Sequence, residues 1–124
     1  MQVFDLNAMQ PQTVSELYQR TLAQGKNLSV ARLSVRKGAI TQRHSHEEEE
    51  VIVLLQGAWT FHFSNRDVTL QPNQVLAIAP GVEHSSEVLE DVVAIDVCTP
   101  TRKDWIRQED LNLHTDEDLF LWAV

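Results

Sequence analysis

Short runs of Val, Ile, Leu, Thr and Phe alternate with Gly, Pro and Asn along the chain from about Tyr18 to Thr99. The separating residues recur about every 8 to 12 positions, which is typical of short strands joined by turns. Since parallel strands would need crossover helices between them, the pattern predicts an all-β closed barrel or jelly roll. The predicted strands cover residues 18–23, 28–35, 41–46, 51–55, 59–64, 67–70, 75–78, 84–88 and 92–98.

Helix is predicted only near the two ends of the chain. Val14 and Tyr18 lie one helical turn apart, so residues 13–22 are expected to begin as a short helix that leads into an edge strand. Residues 103–108 favour one or two further turns of helix. The segment 119–124 is strongly apolar, and we expect it to dock on its own barrel or on a second subunit.

The chain is expected to form a single domain over residues 1–124. Its 124 residues, 43% of them hydrophobic, are fewer than the roughly 150 of an average domain but suffice for one core. No internal repeat, low-complexity linker or proline-rich break divides the sequence. The predicted barrel occupies about residues 17–99, and residues 100–124 form a C-terminal helix and tail.

Composition and charge exclude several classes of function. Ten Lys and Arg against eighteen Asp and Glu give a formal net charge of −8, so the surface repels nucleic-acid phosphates and anionic lipid. The longest apolar run, 51–55, is far shorter than the roughly 20 residues of a membrane-spanning helix, and the N-terminus lacks the basic and apolar regions of a secretion signal. We therefore expect a cytoplasmic protein without nucleic-acid or membrane partners.

The lone cysteine, Cys98, excludes an internal disulfide framework and any multi-thiolate metal site, so a metal would need His and carboxylate ligands. His44 and His46 lie two apart on a predicted strand, where both imidazoles project from the same face. Glu50 opens the next apolar strand, and an antiparallel neighbour would return its carboxylate to the same point. His84 begins a later strand, which a closed barrel can bring across the lumen.

Such a set of ligands would suit several metals. Three neutral imidazoles and one carboxylate are adequate for Fe(II), Mn(II), Ni(II), Zn(II) or Cu(II), and octahedral ions would keep positions open for water or substrate. An all-oxygen calcium site does not fit, since hard cations do not favour histidine. The simpler interpretation of an isolated His-Ser-His-Glu run is a solvated, charged turn. The residues around the run decide between the two interpretations.

Two groups of residues have the spacing of the sequence motifs that are typical of the cupin superfamily. The first motif is complete at its fixed positions, which are Gly38, His44, His46, Glu50 and Gly57. The second is partly present around Asn73, Pro80, Gly81, His84 and Val88. Gly81 and His84 match it, whereas Asn73 replaces a glycine, which Asn tolerates because it also adopts the left-handed conformation. The chain resembles small single-domain cupins over about residues 17–107.

This resemblance implies an all-β fold, the cupin double-stranded β-helix or jelly-roll barrel, with short terminal helices. It also implies that a divalent transition metal, one of Fe, Mn, Ni, Zn or Cu, is bound inside the barrel by His44, His46, Glu50 and His84. The acidic residues 47–49 are interpreted as turn residues, some of them candidate hydrogen-bond partners of an imidazole.

The stretch 96–105 is similar to the end of one cupin branch, the KdgF-type enzymes that linearise uronates in pectin and alginate breakdown. That branch carries an Asp, an aromatic residue and an Arg near the metal. Asp96 and Arg102 occupy matching positions, while Cys98 replaces the aromatic residue and Glu50 stands where the branch has Gln. The resemblance implies a proton-transferring carboxyl and a guanidinium that binds a sugar carboxylate. The alternative is that Asp96 is a barrel residue and Arg102 a surface cap.

The remaining reactive side chains are predicted to have no role in a site. His62 lies on the strand face opposite Trp59 and is interpreted as a non-ligand histidine. His114 falls in a polar tail and is expected to be solvated. Cys98 is expected to be a small buried apolar residue and not a nucleophile.

Three functions remain open. The first is a metal-dependent cupin that binds or transforms a small polar or anionic molecule, such as a sugar acid, by isomerase-like or lyase-like Lewis-acid catalysis with Asp96 and Arg102 as catalytic residues. The others are an Fe(II) dioxygenase and a non-enzymatic small-molecule sensor. A homodimer is expected, because Trp105, Trp122 and the apolar C-terminus exceed what one barrel can cover.

Overall fold

Strands dominate the part of the chain that the computed structural model describes, residues 1–116. Nine strands run in the order β1 Gln12–Ser15, β2 Tyr18–Gln24, β3 Ser29–Val35, β4 Ala39–His44, β5 Glu49–His62, β6 Asp67–Leu70, β7 Val75–Ile78, β8 His84–Thr99 and β9 His114–Asp116. One α-helix, α1 Lys103–Arg107, and two 3-10 turns, Leu6–Ala8 and Leu111–Leu113, complete them. No helix within residues 1–116 is long and apolar enough to cross a membrane.

The strands form a nearly closed antiparallel barrel, which is the jelly roll that the sequence predicts. One path of pairing runs β1-β2-β3-β8-β4-β9, and β5 adds β6, β7 and β8 as its neighbours. Side chains of alternate residues fill the inside, with Leu33, Ile52, Leu54 and Ala94 almost fully buried. The long strands β5 and β8 therefore hold the barrel together, because both halves of the sheet pair with them.

Two of the predicted turns are irregularities within long strands. A turn was expected near Gly57, yet β5 continues through it, and the register with β8 shifts on both sides. Gly57 has φ +93°, and a Cβ there would lie 2.2 Å from the Asp91 carbonyl oxygen, so only glycine fits. Residues 90–91 of β8 likewise interrupt the ladder without ending the strand. Glycine here produces a bulge, which bends a strand without reversing it.

The predicted helix over residues 13–22 is wrong. This segment forms β1 and most of β2, which pair as a hairpin with Ser15 opposite Tyr18. Val14 and Tyr18 are both buried, as a helical face would require, but a tight turn between two short strands places them on the same side equally well. The predicted helix after the barrel is confirmed by α1.

Trp105 lies in α1 and is buried within the protomer. It is 4% exposed, and the guanidinium groups of Arg20 and Arg102 lie over its ring at 5.2 and 4.6 Å from the centroid. Trp105 therefore does not leave an apolar surface for a second subunit, and that part of the argument for a dimer is wrong. Trp122 and the segment 119–124 lie outside the described residues.

Candidate metal and ligand site

Three histidines meet at one end of the barrel. His44 ends β4, His46 follows in the turn, and His84 begins β8, where it pairs in register with His44. One ring nitrogen of each lies within 4.8 Å of the others. The antiparallel β4–β8 pair thus brings His84 to the two histidines that precede it by about forty residues in the sequence.

Backbone carbonyls orient all three rings in the same way. In each case Nδ1 faces a carbonyl oxygen two residues away, at 2.7 Å for His44 and Gln42, 2.9 Å for His46 and Glu48, and 2.9 Å for His84 and Val82. Because a carbonyl can only accept, each Nδ1 carries the hydrogen. In the neutral ring, each Nε2 then presents a lone pair, which is the form of histidine that binds metal ions.

Glu50 brings a carboxylate to these nitrogens. Its Oε1 lies 3.2 Å from Nε2 of His46 and 3.5 Å from Nε2 of His84, and the residue is 6% exposed. Burial alone would raise the pKa of Glu50, but its polar contacts, among them a hydrogen bond from Asp96, outweigh burial, so the pKa lies well below its ordinary value. A carboxylate and three nitrogen lone pairs converge here, and a cation among them would relieve their repulsion.

Asp96 and Cys98 lie beside Glu50 on β8. One ligand-type atom from each of the three residues falls within 4.8 Å of the others, and all three residues are buried. Burial, followed by the charge of Glu50, raises the pKa of Asp96 well above its usual range. The two carboxyl groups therefore share one proton, and Asp96 holds it. Burial also raises the pKa of the Cys98 thiol, as expected for a structural cysteine.

Arg102 is buried next to this group and already has a partner. Its Nε and Nη2 each donate to a carboxylate oxygen of Asp104 at 2.8 Å, and its guanidinium stacks on Trp105. Only Nη1 is left, and it lies 3.7 Å from the Cys98 sulfur. Arg102 is thus not a surface cap, since it is 3% exposed, but it offers a ligand one edge and not the full bidentate face.

A lumen connects these groups. The lumen is open to solvent at its mouth, and its wall includes His44, Glu50, His84, Asp96 and Arg102. His46 reaches the same point through its contact with Glu50. The structure therefore brings together all six residues that the sequence singled out for a site.

A second polar cluster, which reaches the lumen through Thr41 and His114, has no counterpart in the sequence prediction. Arg20, 1% exposed, donates to both carboxylate oxygens of Asp110, at 2.7 and 3.1 Å. His114 joins Asp110 at 3.0 Å and Thr41 at 2.9 Å. The prediction of a solvated His114 is wrong, because β9, which begins at His114, pairs with β4 and brings the ring against Thr41. This position depends on long-range strand pairing, so no local sequence pattern predicts it.

His62, interpreted from the sequence as a non-ligand histidine, lies outside the lumen. Its two ring nitrogens face Asp67 at 2.8 Å and Glu87 at 3.2 Å on the exterior of the barrel. Hydrogen bonding to Asp67 is the main cause that raises its pKa. His62 is a suitable control for experiments on the lumen histidines.

A family model described as "Cupin domain" matches residues 31–98, more than half of the chain. The chain belongs to the cupin family. The match spans β3 to the end of the long strand β8 and contains His44, His46, Glu50, His84 and Asp96. None of the curated proteins compared with this cupin matches it.

Solved cupin structures share its fold. KdgF from Halomonas sp. is 24% identical, with a TM-score of 0.77 over 84% of this chain and 99% of that one. An RmlC-like cupin from Shewanella frigidimarina is 18% identical, with a TM-score of 0.74 over 80% and 90% of the two chains. Bacillus subtilis oxalate decarboxylase, described with Mn(II) centres, is 16% identical with a TM-score of 0.70 over 78% of this chain but only 29% of its own.

Proposed function

We propose that this cupin is a divalent-metal protein whose lumen binds and transforms a small anionic molecule, a sugar acid of the uronate type. The observation that carries the metal is the common orientation of His44, His46 and His84, each with Nδ1–H bonded to a carbonyl and Nε2 turned inward. Together with Glu50, these three would hold the ion. Three imidazoles and one carboxylate suit Mn(II), Fe(II), Ni(II), Zn(II) or Cu(II).

The charge of the site favours an anion as the ligand. Three neutral imidazoles, one carboxylate and a divalent ion would leave a net charge of +1 at the ion itself, while Arg102 is paired with Asp104 and also lies 3.5 Å from Glu48. Burial lowers the pKa of His44, which keeps its ring in the neutral, ligating form. When bound, the metal would supply Lewis-acid polarisation of a carbonyl or hydroxyl oxygen.

Two unpartnered polar atoms support a ligand in the lumen. Within residues 1–116, the indole Nε1 of Trp59 and Oδ1 of Asp96 are buried without a hydrogen-bond partner, and both residues line the lumen. Leaving such groups unpaired costs about 1–3 kcal/mol each. A small molecule with several hydroxyl groups would accept from Trp59 and pair with Asp96, and a sugar acid has both features.

Asp96 and Arg102 are assigned the two roles that a uronate requires. Asp96 holds a proton in the buried carboxyl pair, so it acts as a general acid toward a carbon or oxygen of the ligand. Arg102 presents Nη1 to the carboxylate of the ligand, held in place by Asp104 and Trp105. The likeness in fold to KdgF agrees with this assignment, although Cys98 and Glu50 differ from that branch.

Metal content and turnover test the proposal separately. The full chain, purified without chelating resin, should hold one transition-metal ion, and a chain that takes up none of Mn, Fe, Ni, Zn or Cu would contradict the metal site. The loaded protein should then remove the double-bond absorbance of an unsaturated uronate. Asp96→Asn should abolish this loss, whereas His62→Ala on the exterior should retain it. No absorbance change with loaded protein would refute the uronate.

A homodimer remains a prediction, with a different surface as its support. On the outer face of the barrel, Val53 of β5 pairs with Ile95 of β8 on one side and with Val75 of β7 on the other. Val75 is 57% exposed. Sedimentation velocity should show a dimer that Val75→Lys weakens and that Ile106→Lys, in exposed α1, leaves intact. A monomer at working concentration would contradict the prediction.

A further inference from the structure

Asp110, His114 and Thr41 form a continuous chain of hydrogen bonds in the lumen wall. His114 opens β9 and pairs in register with Thr41 of β4, with Nδ1 2.9 Å from Thr41 Oγ1. Its Nε2 lies 3.0 Å from Oδ2 of Asp110. Thr41 and His114 line the same lumen as His44 and His84, so the chain of bonds ends where a ligand would lie.

The partners fix the direction of these bonds. Arg20 donates two N–H groups to Asp110, and a carboxylate so held accepts only, so His114 Nε2 carries the hydrogen. In the neutral ring, Nδ1 then has the lone pair, and the Thr41 hydroxyl donates to it. Since the Thr41 hydroxyl donates its one hydrogen to His114, its oxygen can only accept a hydrogen bond from any third group. The wall therefore presents an acceptor oxygen backed by a base.

Carboxylate, imidazole and hydroxyl in this order are the arrangement that activates a hydroxyl group for proton transfer. The side chains of His114 and Asp110 are 9% and 1% exposed, so water does not compete for these bonds. Arg20 and His114, acting against burial, keep the pKa of Asp110 below its ordinary value, and Asp110 stays ionised to stabilise an imidazolium. Tyr18, whose ring centroid is 4.7 Å from that of His114, restricts the imidazole further.

We propose that Asp110, His114 and Thr41 act as a proton relay that removes a proton from a hydroxyl group of the molecule bound in the lumen. This rests on the proposed function for the identity of that molecule. Thr41 Oγ1 takes the proton of the ligand while its own hydrogen passes to His114 Nδ1. Thr41 is the group that touches the ligand, and His114 is a positioning residue that acts through it.

For an unsaturated uronate in its ring form, the relay completes a balanced isomerisation. The proton of the hemiacetal hydroxyl goes to the relay, a carbonyl forms at that carbon, and its bond to the ring oxygen breaks. The electron pair stays on the ring oxygen as an enolate with the existing double bond. The far carbon of that double bond then takes up a proton from Asp96, which lines the same lumen, and the ketone forms. The proton on His114 returns to Asp96 through solvent, so no oxidant or co-reactant is needed.

A purely structural network would also anchor the segment after α1, so the test separates the two roles. Thr41→Val keeps the shape of the side chain and removes the hydroxyl, while Thr41→Ser keeps the hydroxyl. Loss of a general base should lower kcat for the unsaturated uronate about 100-fold or more in Thr41→Val, and Thr41→Ser should restore most of that loss. Equal kcat values for Thr41→Val and the parent chain would overturn the relay while the proposed function stands.

Nitrogen NMR of the histidine rings tests the relay without any substrate. In the full chain, the ring hydrogen of His114 should lie on Nε2, and Thr41→Val should shift its Nδ1 resonance while those of His62 stay in place. Hydrogen on Nδ1 in the parent chain would overturn the relay, because Thr41 would then be an acceptor of the histidine. If no sample turns over the uronate, the proposed substrate is wrong, and these resonances alone decide the relay.

Discussion

The lumen contains two polar clusters that differ in how their charges are balanced. Around Glu50, three imidazoles and two carboxyl groups converge, and no Lys or Arg side chain forms an ion pair with Glu50 or Asp96 within residues 1–116. Around Asp110, one guanidinium and one imidazole satisfy one carboxylate from three sides. We call the first the open cluster, because its carboxyl groups have no Lys or Arg partner among residues 1–116, and the second the complete cluster, because its carboxylate is paired with Arg20 and His114.

Because of this difference, the pKa values of the two buried aspartates, Asp96 and Asp110, are shifted in opposite directions. Burial raises the pKa of Asp96, and the neighbouring Glu50 charge adds to the shift. Burial also opposes ionisation of Asp110, but hydrogen bonds from His114 and Arg20 lower its pKa below the ordinary value. Asp96 is thus protonated in one cluster, whereas Asp110 is ionised in the other.

The largest effect is expected from breaking the complete cluster. Arg20→Ala leaves Asp110 as a buried charge without its guanidinium partner, and this should lower the free energy of unfolding by about 3–5 kcal/mol. The measurement is urea unfolding of the metal-free chain. Arg43→Ala is the matched control, since its pair with Glu83 is exposed and should contribute about 1 kcal/mol or less. Equal losses in the two variants would show that the buried pair contributes no more than a surface pair.

Removing a histidine from the open cluster should change binding more than stability. Because even the hydrogen-bond partners of metal ligands contribute about 10- to 100-fold to affinity, His84→Ala should weaken metal binding at least tenfold. Competition with a metal-sensitive dye measures this effect, with His62→Ala as the control. In the metal-free chain, His84→Ala should destabilise less than Arg20→Ala. Unchanged affinity would mean that His84 is not a ligand.

The smallest expected effect concerns pH: as pH rises, the contributions of Asp96 and Asp110 to the free energy of unfolding should change in opposite directions. Asp96 binds its proton more tightly in the folded chain, so its contribution is present below the ordinary Asp pKa of about 3.9 and is lost as pH rises toward the raised value. Asp110 behaves in the opposite way, with stability present above about pH 3.9 and lost as pH falls.

Asn substitutions in the metal-free chain should reveal these signs. Asp96→Asn should stabilise the fold at neutral pH and flatten the decline in stability above about pH 4, whereas Asp110→Asn should destabilise it at neutral pH. Unfolding midpoints measured across the pH range check both. Two variants that shift the midpoint in the same direction at neutral pH would contradict the assignment of the proton to Asp96.

The sequence predicts the open cluster well because its members follow local rules. His44, His46 and Glu50 lie within seven residues and match one short sequence motif, although His46 lies in the turn after β4 and not on a strand. The complete cluster could not be predicted, since Arg20 and Asp110 are ninety residues apart and meet only when the chain after β8 returns to the barrel. Arg20 and Asp110 are buried only because this later segment packs against the barrel, and no local sequence pattern predicts that packing.

The strands follow the same rule. Those bounded by clear turn residues, β6 and β7, have the predicted bounds, 67–70 and 75–78. For the long strands β5 and β8, the sequence predicts two short strands each, with a turn at Gly57 and at residues 90–91, whereas the structure continues through both positions. A sequence marks where the backbone departs from regular pairing, but whether the departure is a bulge or a reversal depends on the neighbouring strand, here a carbonyl oxygen of Asp91 packed against Gly57.

The strands that form the wall of the lumen should differ in how often they open locally, because β8 and β9 differ in their pairing. β8 bonds to β5 along one edge and to β3 and β4 along the other, so its amides should exchange with solvent hydrogen only when the whole chain unfolds. β9, with three residues, pairs with β4 alone among the strands of residues 1–116. Asp96 thus lies on a strand that should exchange slowly and His114 on one that should exchange faster, a difference that hydrogen-exchange mass spectrometry would measure.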